Sequence, residues 1–312
     1  MIELQAGGYV ALINPTRGGS CVHLSRFGAS VLRTPESDID YEMGPFFYGT
    51  PLLFFPNRIS DGKFEFEGRT YTLPINEPDT GCFLHGTLHE TQFEVVQQQN
   101  DSVELRYQAT DEKPYLSFSH AFTLTLKWEL DEAGLHQQVS FTNDSNLNMP
   151  IALAFHTTFQ LPFCAESDAN AITMQLDTSI EYSRNMKNYL PDGGWAADYP
   201  MKQELSEGVF HPGPCRMSRF FKMGDRKELV LTDPIAGVKM HYTALQGYDY
   251  WMVYNGLTAD FLSVEPQSWL SNCPNAPFAR EETGFSYLQP GESRTYETCM
   301  RIEKLMNCVE AE

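Results

Sequence analysis

Short apolar or alternating runs broken by turn residues recur from one end of this chain to the other, with almost no apolar stripe repeating every three to four residues. Side chains alternate between the two faces of a strand, whereas a helix face needs that longer period, so the pattern predicts a mostly antiparallel β architecture. Turn signals sit where such a fold needs them. Phe64 to Tyr71 reads as a hairpin turning near Gly68, and Trp128 to Leu130 and Leu135 to Phe141 flank a second turn at Asp131-Glu132-Ala133-Gly134. Leu229 to Thr232 and Val238 to Tyr242 flank a third turn at Asp233 to Gly237, and Phe285 to Leu288 and Arg294 to Ile302 flank Gln289-Pro290-Gly291-Glu292. Residues 183–225, with Pro191-Asp192-Gly193-Gly194 and His211-Pro212-Gly213-Pro214, are the least regular and read as long loops over the sheet.

At 312 residues the chain can bury a substantial core as one large all-β domain or as two ordinary ones. No Gly/Ser linker, low-complexity tract or internal repeat marks a boundary, so a single β-sandwich domain over residues 1–312 is the economical reading. Tyr and Phe far outnumber Trp, which suits strands and sugar-binding surfaces alike. A formal net charge of −19 with no long basic run argues against nucleic acid and anionic membranes as partners. The same balance disfavours a phosphorylated substrate unless a local arginine cluster overcomes the global field. The cysteines Cys21, Cys82, Cys164, Cys215, Cys273, Cys299 and Cys308 show no C-x-x-C and no zinc-site spacing, and are expected to be free thiols in a reducing compartment. The start has no basic segment followed by an apolar one, and no apolar stretch approaches spanning length, so a cytoplasmic protein is expected, monomeric or weakly dimeric.

Two ionisable residues interrupt apolar strand-like runs: His156 in Ile151 to Leu161, and Glu265 in Phe261 to Trp269. Buried charge costs several kcal/mol unless it is paired or hydrogen-bonded, so such groups are either structural or catalytic. By strand alternation His156 shares a face with the small residues Ala152, Ala154 and Thr158, and Glu265 shares one with Ser263. Larger side chains, Ile151, Leu153, Phe155, Leu262 and Val264, point the other way. Two strands that each set one ionisable group in a row of small residues suggest the floor of a concave site. Asn57 and Arg58 end another apolar run and offer donors suited to vicinal hydroxyls or a carboxylate, although a solvent-facing strand end would look the same. His85 precedes Gly86, which permits close approach of a ligand or backbone. His85 and His89 have H-x-x-x-H spacing, but Gly86 disfavours the helix that metal ligation would need. There is no G-x-S-x-G elbow, no activated cysteine, no phosphate-cradling glycine loop, and no second sheltered carboxylate for glycoside hydrolysis. One carboxylate and two histidines remain, a set suited to moving protons without a covalent intermediate or cofactor.

Taken in order, these segments resemble the aldose 1-epimerase (galactose mutarotase)-like family. The resemblance rests on Asn57-Arg58-Ile59 with Gly62-Lys63-Phe64, Gly68 and Tyr71, and on Leu84-His85-Gly86. It continues in Phe155-His156 leading to Phe159-Gln160-Leu161, in Val264-Glu265-Pro266-Gln267, and in a terminal turn Leu-Gln-Pro-Gly-Glu-Ser. It implies a β-supersandwich of large antiparallel sheets and an isomerase that interconverts the α and β anomers of a free monosaccharide. Carried over residue by residue, it implies Glu265 as base, His156 as acid, His85 as a second histidine near the ring oxygen, and Asn57 and Arg58 as holders of sugar hydroxyls. An imidazolium at His156 and a carboxylate at Glu265 would attract one another, favouring both charged forms. The chain departs from the family pattern at Thr158, where Tyr is usual, and at Gln160, where Asn is usual. It also lacks the acid of an L-D-H-like segment, whose nearest match is Met217-Ser218-Arg219-Phe220-Phe221, and Asp249 is the substitute considered for sugar binding. That departure leaves open a non-catalytic carbohydrate-binding or sensing protein on the same fold. A hexose-6-phosphate 1-epimerase is also open, with Arg219 and Lys222 in its favour.

Overall fold

The computed structural model describes residues 1–256 and 259–305. A four-stranded N-terminal meander, Ile2–Ala6, Tyr9–Asn14, Ser20–Arg26 and Ala29–Ser30, precedes two large antiparallel sheets. The first of these runs in the order Glu94–Gln98, Ser102–Ala109, Phe122–Leu130, Leu135–Asn143, Ser293–Lys304, Val238–Gln246, Glu228–Asp233, Thr173–Leu176. The second runs Pro191–Ala196, Thr178–Arg184, Ser218–Met223, Tyr250–Tyr254, Phe261–Gln267, Ala154–Phe155, Leu52–Leu53, and Thr158–Gln160 pairs with Phe261–Gln267 as well. The sheets face one another as a sandwich. Tyr242 of the first packs on Phe159 and Trp251 of the second, with ring centroids 5.8 and 6.2 Å apart, and its hydroxyl hydrogen-bonds Thr157 at 2.9 Å. Burying each such large apolar side chain contributes about 1.5–3 kcal/mol, so the back of the second sheet is firmly anchored.

Alternation tells which strand is where. Phe122–Leu130 alternates buried positions with half-buried ones and the exposed Glu129, as expected for a sheet with one wetted face, whereas every residue of Phe261–Gln267 is buried. Leu262 and Val264 supply its core face, and Ser263, Glu265 and Gln267 lie on the other, beneath the cleft described below.

Three of the expected hairpins form. Lys63–Phe66 pairs with Arg69–Thr72 across Glu67 and Gly68, both at positive φ (47° and 72°), which is the conformation a tight two-residue hairpin turn requires. The turns at 131–134 and 234–237 join paired strands, with Leu130 opposite Leu135 and Asp233, expected in the turn, opposite Val238 at the strand end. The fourth pair is not a hairpin. Ser286–Leu288 pairs with Met149–Ile151, and Ser293–Lys304 is inserted between Leu135–Asn143 and Val238–Gln246, so the turn at 289–292 carries the chain between sheets. Two long ladders on Ser293–Lys304 outweigh the one short ladder that a hairpin would provide.

Residues 183–225 also differ from the expected loops: they contain the strand Pro191–Ala196, the helix Lys202–Glu207 and the strand Ser218–Met223. Pro191 and two glycines are tolerated there because Pro191–Ala196 is an edge strand. Six cysteines are free as expected, and Cys308 lies outside the described residues. No helix among the described residues is long and apolar enough to cross a membrane.

Candidate active site

A cavity of about 1130 Å³ opens over the second sheet, with His156 and Glu265 on its floor and Asn57, Arg58 and His85 on its wall. Register explains the floor. Ala154 stands opposite Gln267 and Thr158 opposite Ser263, so continuing the antiparallel ladder puts His156 opposite Glu265. His156 Nε2 lies 3.2 Å from Glu265 Oε1, and Gln267 Nε2 donates to Glu265 Oε2 at 2.8 Å. His156 Nδ1 is buried with no partner among the described residues. Its backbone N–H donates to the Pro51 carbonyl at 2.9 Å, tying it to the extended segment ahead of Leu52–Leu53.

Burial rather than mutual attraction dominates the titration of this pair. Desolvation pushes the Glu265 carboxyl up to about 8 and the His156 imidazole down to about 3. The expectation that attraction would favour both charged forms is corrected accordingly: the low-dielectric floor favours the neutral ones. Neutral Glu265 with neutral His156 nevertheless holds the same number of protons as carboxylate with imidazolium. Between about pH 3 and about pH 8 the pair therefore holds one proton, on Glu265, with His156 Nε2 3.2 Å away.

Asn57 and His85 brace each other on the wall. The Asn57 backbone N–H donates to His85 Nδ1 at 3.1 Å, and the His85 N–H donates to the Asn57 carbonyl at 3.1 Å. Both residues hold the left-handed conformation, φ 61° and 60°, a strained choice for non-glycine residues that concentrates at functional sites. With Nδ1 accepting, neutral His85 carries its proton on Nε2. Burial, reinforced by the nearby His156 and Arg58, lowers its pKa well below the usual histidine range, so His85 offers a neutral N–H donor. The ring centroids of His85 and His156 are 5.5 Å apart. The Asn57 side-chain oxygen is occupied by the Arg58 N–H and the Ser271 hydroxyl, and the residue lines the cavity.

Arg58 does not meet solvent as a bare strand end would. Its Nε and Nη2 donate to both oxygens of Glu77 at 2.6 Å, and its guanidinium lies 4.8 Å from the centroid of Tyr189. His89 is buried outside the cavity lining; Phe46 lies against His85, His89 and His156, with centroids 4.7, 4.5 and 5.9 Å away. Asp249, considered for sugar binding, is corrected by its position: it is exposed in the turn before Tyr250–Tyr254, paired to Lys227 at 2.7 Å, and does not line the cavity. Lys222 is likewise exposed and absent from the lining, while Arg219 lines it but is paired to Glu181 at 2.6 Å.

Several lining residues carried no readable signal. Phe46 and Phe47, between Gly44 and Gly49, cover His156 from above, Phe47 edge-on at 5.5 Å. Tyr189, Trp195 and Arg184 come from the segment read as loop, and Trp195 leaves 60% of its surface exposed at the rim.

A fold of stacked antiparallel sheets with a buried histidine–glutamate pair on the floor of a large cleft defines a class, and comparison with known proteins places the chain in it. The model of the aldose 1-epimerase family matches residues 1–301, and the chain belongs to that family. A galactose mutarotase-like protein from Clostridium acetobutylicum is 30% identical, with a TM-score of 0.90 over 97% of this chain and 95% of that one. The GalM/aldose epimerase homologue from C. elegans shares the fold at 16% identity and a TM-score of 0.78, covering 97% of this chain and 98% of that one. The uncharacterized protein YphB of Escherichia coli K12 is 26% identical over 259 residues, 82% of this chain and 83% of its own length.

Proposed function

We propose that this protein is an aldose 1-epimerase that interconverts the anomers of a monosaccharide by general acid–base catalysis through the open chain. The observation that carries the reading is the His156–Glu265 contact of 3.2 Å on the floor of the cleft, which sets a proton donor beside an acceptor. In its reactive form the pair is Glu265 carboxylate and His156 imidazolium. Glu265 takes the proton of the anomeric hydroxyl, the bond from C1 to the ring oxygen breaks as the carbonyl forms, and the ring oxygen takes its proton from His156. Rotation about C1–C2 turns the other carbonyl face to the ring hydroxyl. Closure then reverses both transfers, giving the other anomer and the starting protonation state of the protein.

His85 supports the step by donating Nε2–H to the ring oxygen as negative charge develops there, and the Arg58–Glu77 fork holds ring hydroxyls. The chemistry asks only for positioned donors and acceptors, since free sugars already mutarotate in water. General acid–base catalysis is worth about 10² to 10⁴-fold, and positioning adds to it. The test is polarimetric mutarotation of freshly dissolved α-D-glucose and α-D-galactose with the wild type and His156→Ala. Acceleration that the substitution abolishes is the expected result. Saturable binding with no acceleration by the folded wild type would instead assign a non-catalytic sugar-binding role.

A further inference from the structure

In a chain of net charge −19, the cleft is locally basic. Arg58, Arg184, Arg216 and Arg219 line it, against the carboxyls of Glu77, Glu181 and Glu265. Glu77 neutralises Arg58 and Glu181 neutralises Arg219, each at 2.6 Å, while Glu265 is engaged by His156 and Gln267. Among the described residues no carboxylate pairs with Arg184 or Arg216.

Arg184 is the more telling of the two. Its Nη2 donates to the Ser218 carbonyl and, at 3.0 Å, to the Ser218 hydroxyl; its Nη1 is shielded from solvent and has no hydrogen-bond partner among the described residues. Burial, with the neighbouring Arg58, lowers its pKa only to about 10, so it remains a cation at neutral pH. Glu265 and Glu181 act on this guanidinium only at longer range and neither forms an ion pair with it, so an anionic ligand group in direct contact would supply a charge the site lacks at hydrogen-bond distance.

Placement fits a ligand group. Tyr182 lies opposite Phe220, Phe220 opposite Met252 and Met252 opposite Glu265, so Tyr182, two residues before Arg184, shares a cross-strand row with Glu265. Arg184 lines the cleft three strand spacings across and two residues along from Glu265, about 16 Å between backbones. Both residues line the same cleft, which would take one sugar ring with its anomeric carbon at Glu265 and its far substituent at Arg184. Neutral hydroxyls there would satisfy donors but leave the charge uncompensated. A carboxylate or phosphate presents two oxygens that match the planar fork of a guanidinium and cancels the charge as well.

We infer that the monosaccharide carries an acidic substituent, a carboxylate or a phosphate, held by Arg184 with Arg216 at the rim; this rests on the anomer-interconverting reading of the same cleft. The experiment is two-dimensional exchange NMR of the two anomers, at fixed ionic strength, for D-glucose, D-galactose, D-glucuronate, D-galacturonate and D-glucose 6-phosphate. The expected result is a kcat/KM at least 10-fold higher for an acid than for its neutral parent, and the carboxylate and phosphate arms identify which acid. In Arg184→Gln the acid-to-neutral ratio collapses towards one, mainly through KM, and Arg184→Lys, which keeps charge but not the fork, falls between. A wild type that turns over the neutral sugars as well as the acids overturns the inference, and so does an unchanged ratio in a folded Arg184→Gln. If that variant does not fold, Arg216→Gln and the wild-type comparison still decide. Calorimetric titration with the same sugars separates the two readings. Preferential binding of an acid without anomer exchange sinks the epimerase reading and keeps the anion subsite; exchange of neutral sugars without preference for acids does the reverse; absence of both sinks both.

Discussion

Replacing Glu265 by Gln tests the central claim about the floor of the site, that burial and not ion pairing controls its titration. Glutamine keeps the size of the side chain, and its carbonyl oxygen can still accept from Gln267 Nε2, but it cannot ionise. In the folded protein Glu265 titrates near 8, against 4.5 when unburied. A raised folded-state pKa means stability fully present below the unfolded value and lost as pH rises through the folded one. His156 works in the opposite sense: lowered from 6.5 to about 3, it penalises the folded state at low pH, and that penalty is relieved as pH rises to 6.5. Between pH 6.5 and 8 only the Glu265 effect is active. Each pH unit there removes about 1.4 kcal/mol, hence about 2 kcal/mol across the window. Unfolding entropy for a chain of this length is of order 0.6–0.7 kcal/mol per kelvin, so the loss corresponds to about 3 °C in Tm. Calorimetric melting at pH 6.5 and 8.0 should show the wild type losing about 3 °C more than Glu265→Gln, while the variant loses about 10²-fold or more in mutarotation rate. Parallel melting curves for the two proteins would refute the burial argument, because every other titrating group is common to both.

The same protons set the pH dependence of catalysis: kcat/KM should hold level through neutral pH and fall tenfold per unit above about pH 8, where the pair loses its proton, as measured by rate profiles in matched-ionic-strength buffers. Arg58→Lys breaks the two-pronged contact to Glu77 and should raise KM about tenfold with little change in kcat, in steady-state kinetics. Gly86→Ala should destabilise the fold by about 2–4 kcal/mol in urea titration. The added Cβ would collide with the Phe54 carbonyl and the Tyr115 hydroxyl, at a residue held at φ 72°.

Much of the architecture was readable because it is local. The hairpin across Glu67 and Gly68 follows from a turn that needs positive φ, and the strands on either side of 131–134 follow from alternation over neighbouring residues. The ionic interruptions at His156 and Glu265 were readable for the same reason: each is anomalous against its own flanking residues. What sequence reading missed depends on distant pairing. Ser286–Leu288 and Ser293–Lys304 flank a good turn and still part company, since their partners lie at 149–151, 135–143 and 238–246. Asp249 has an acid's chemistry but stands exposed outside the cavity lining, whereas Arg184, in a segment that reads as loop, ends a strand and lines the cavity.

By itself the sequence determined an antiparallel β chain with an acid and a base set into apolar strands, because period and local contrast depend only on neighbouring residues. The tertiary structure alone decided that Ala154 meets Gln267 and Thr158 meets Ser263, which places His156 against Glu265. It also decided that both groups are desolvated together, with a guanidinium that no carboxylate pairs among the described residues lining the same cleft. Register and burial are sums over contacts between segments a hundred residues apart, and a one-residue slip in that ladder would turn Glu265 into the core.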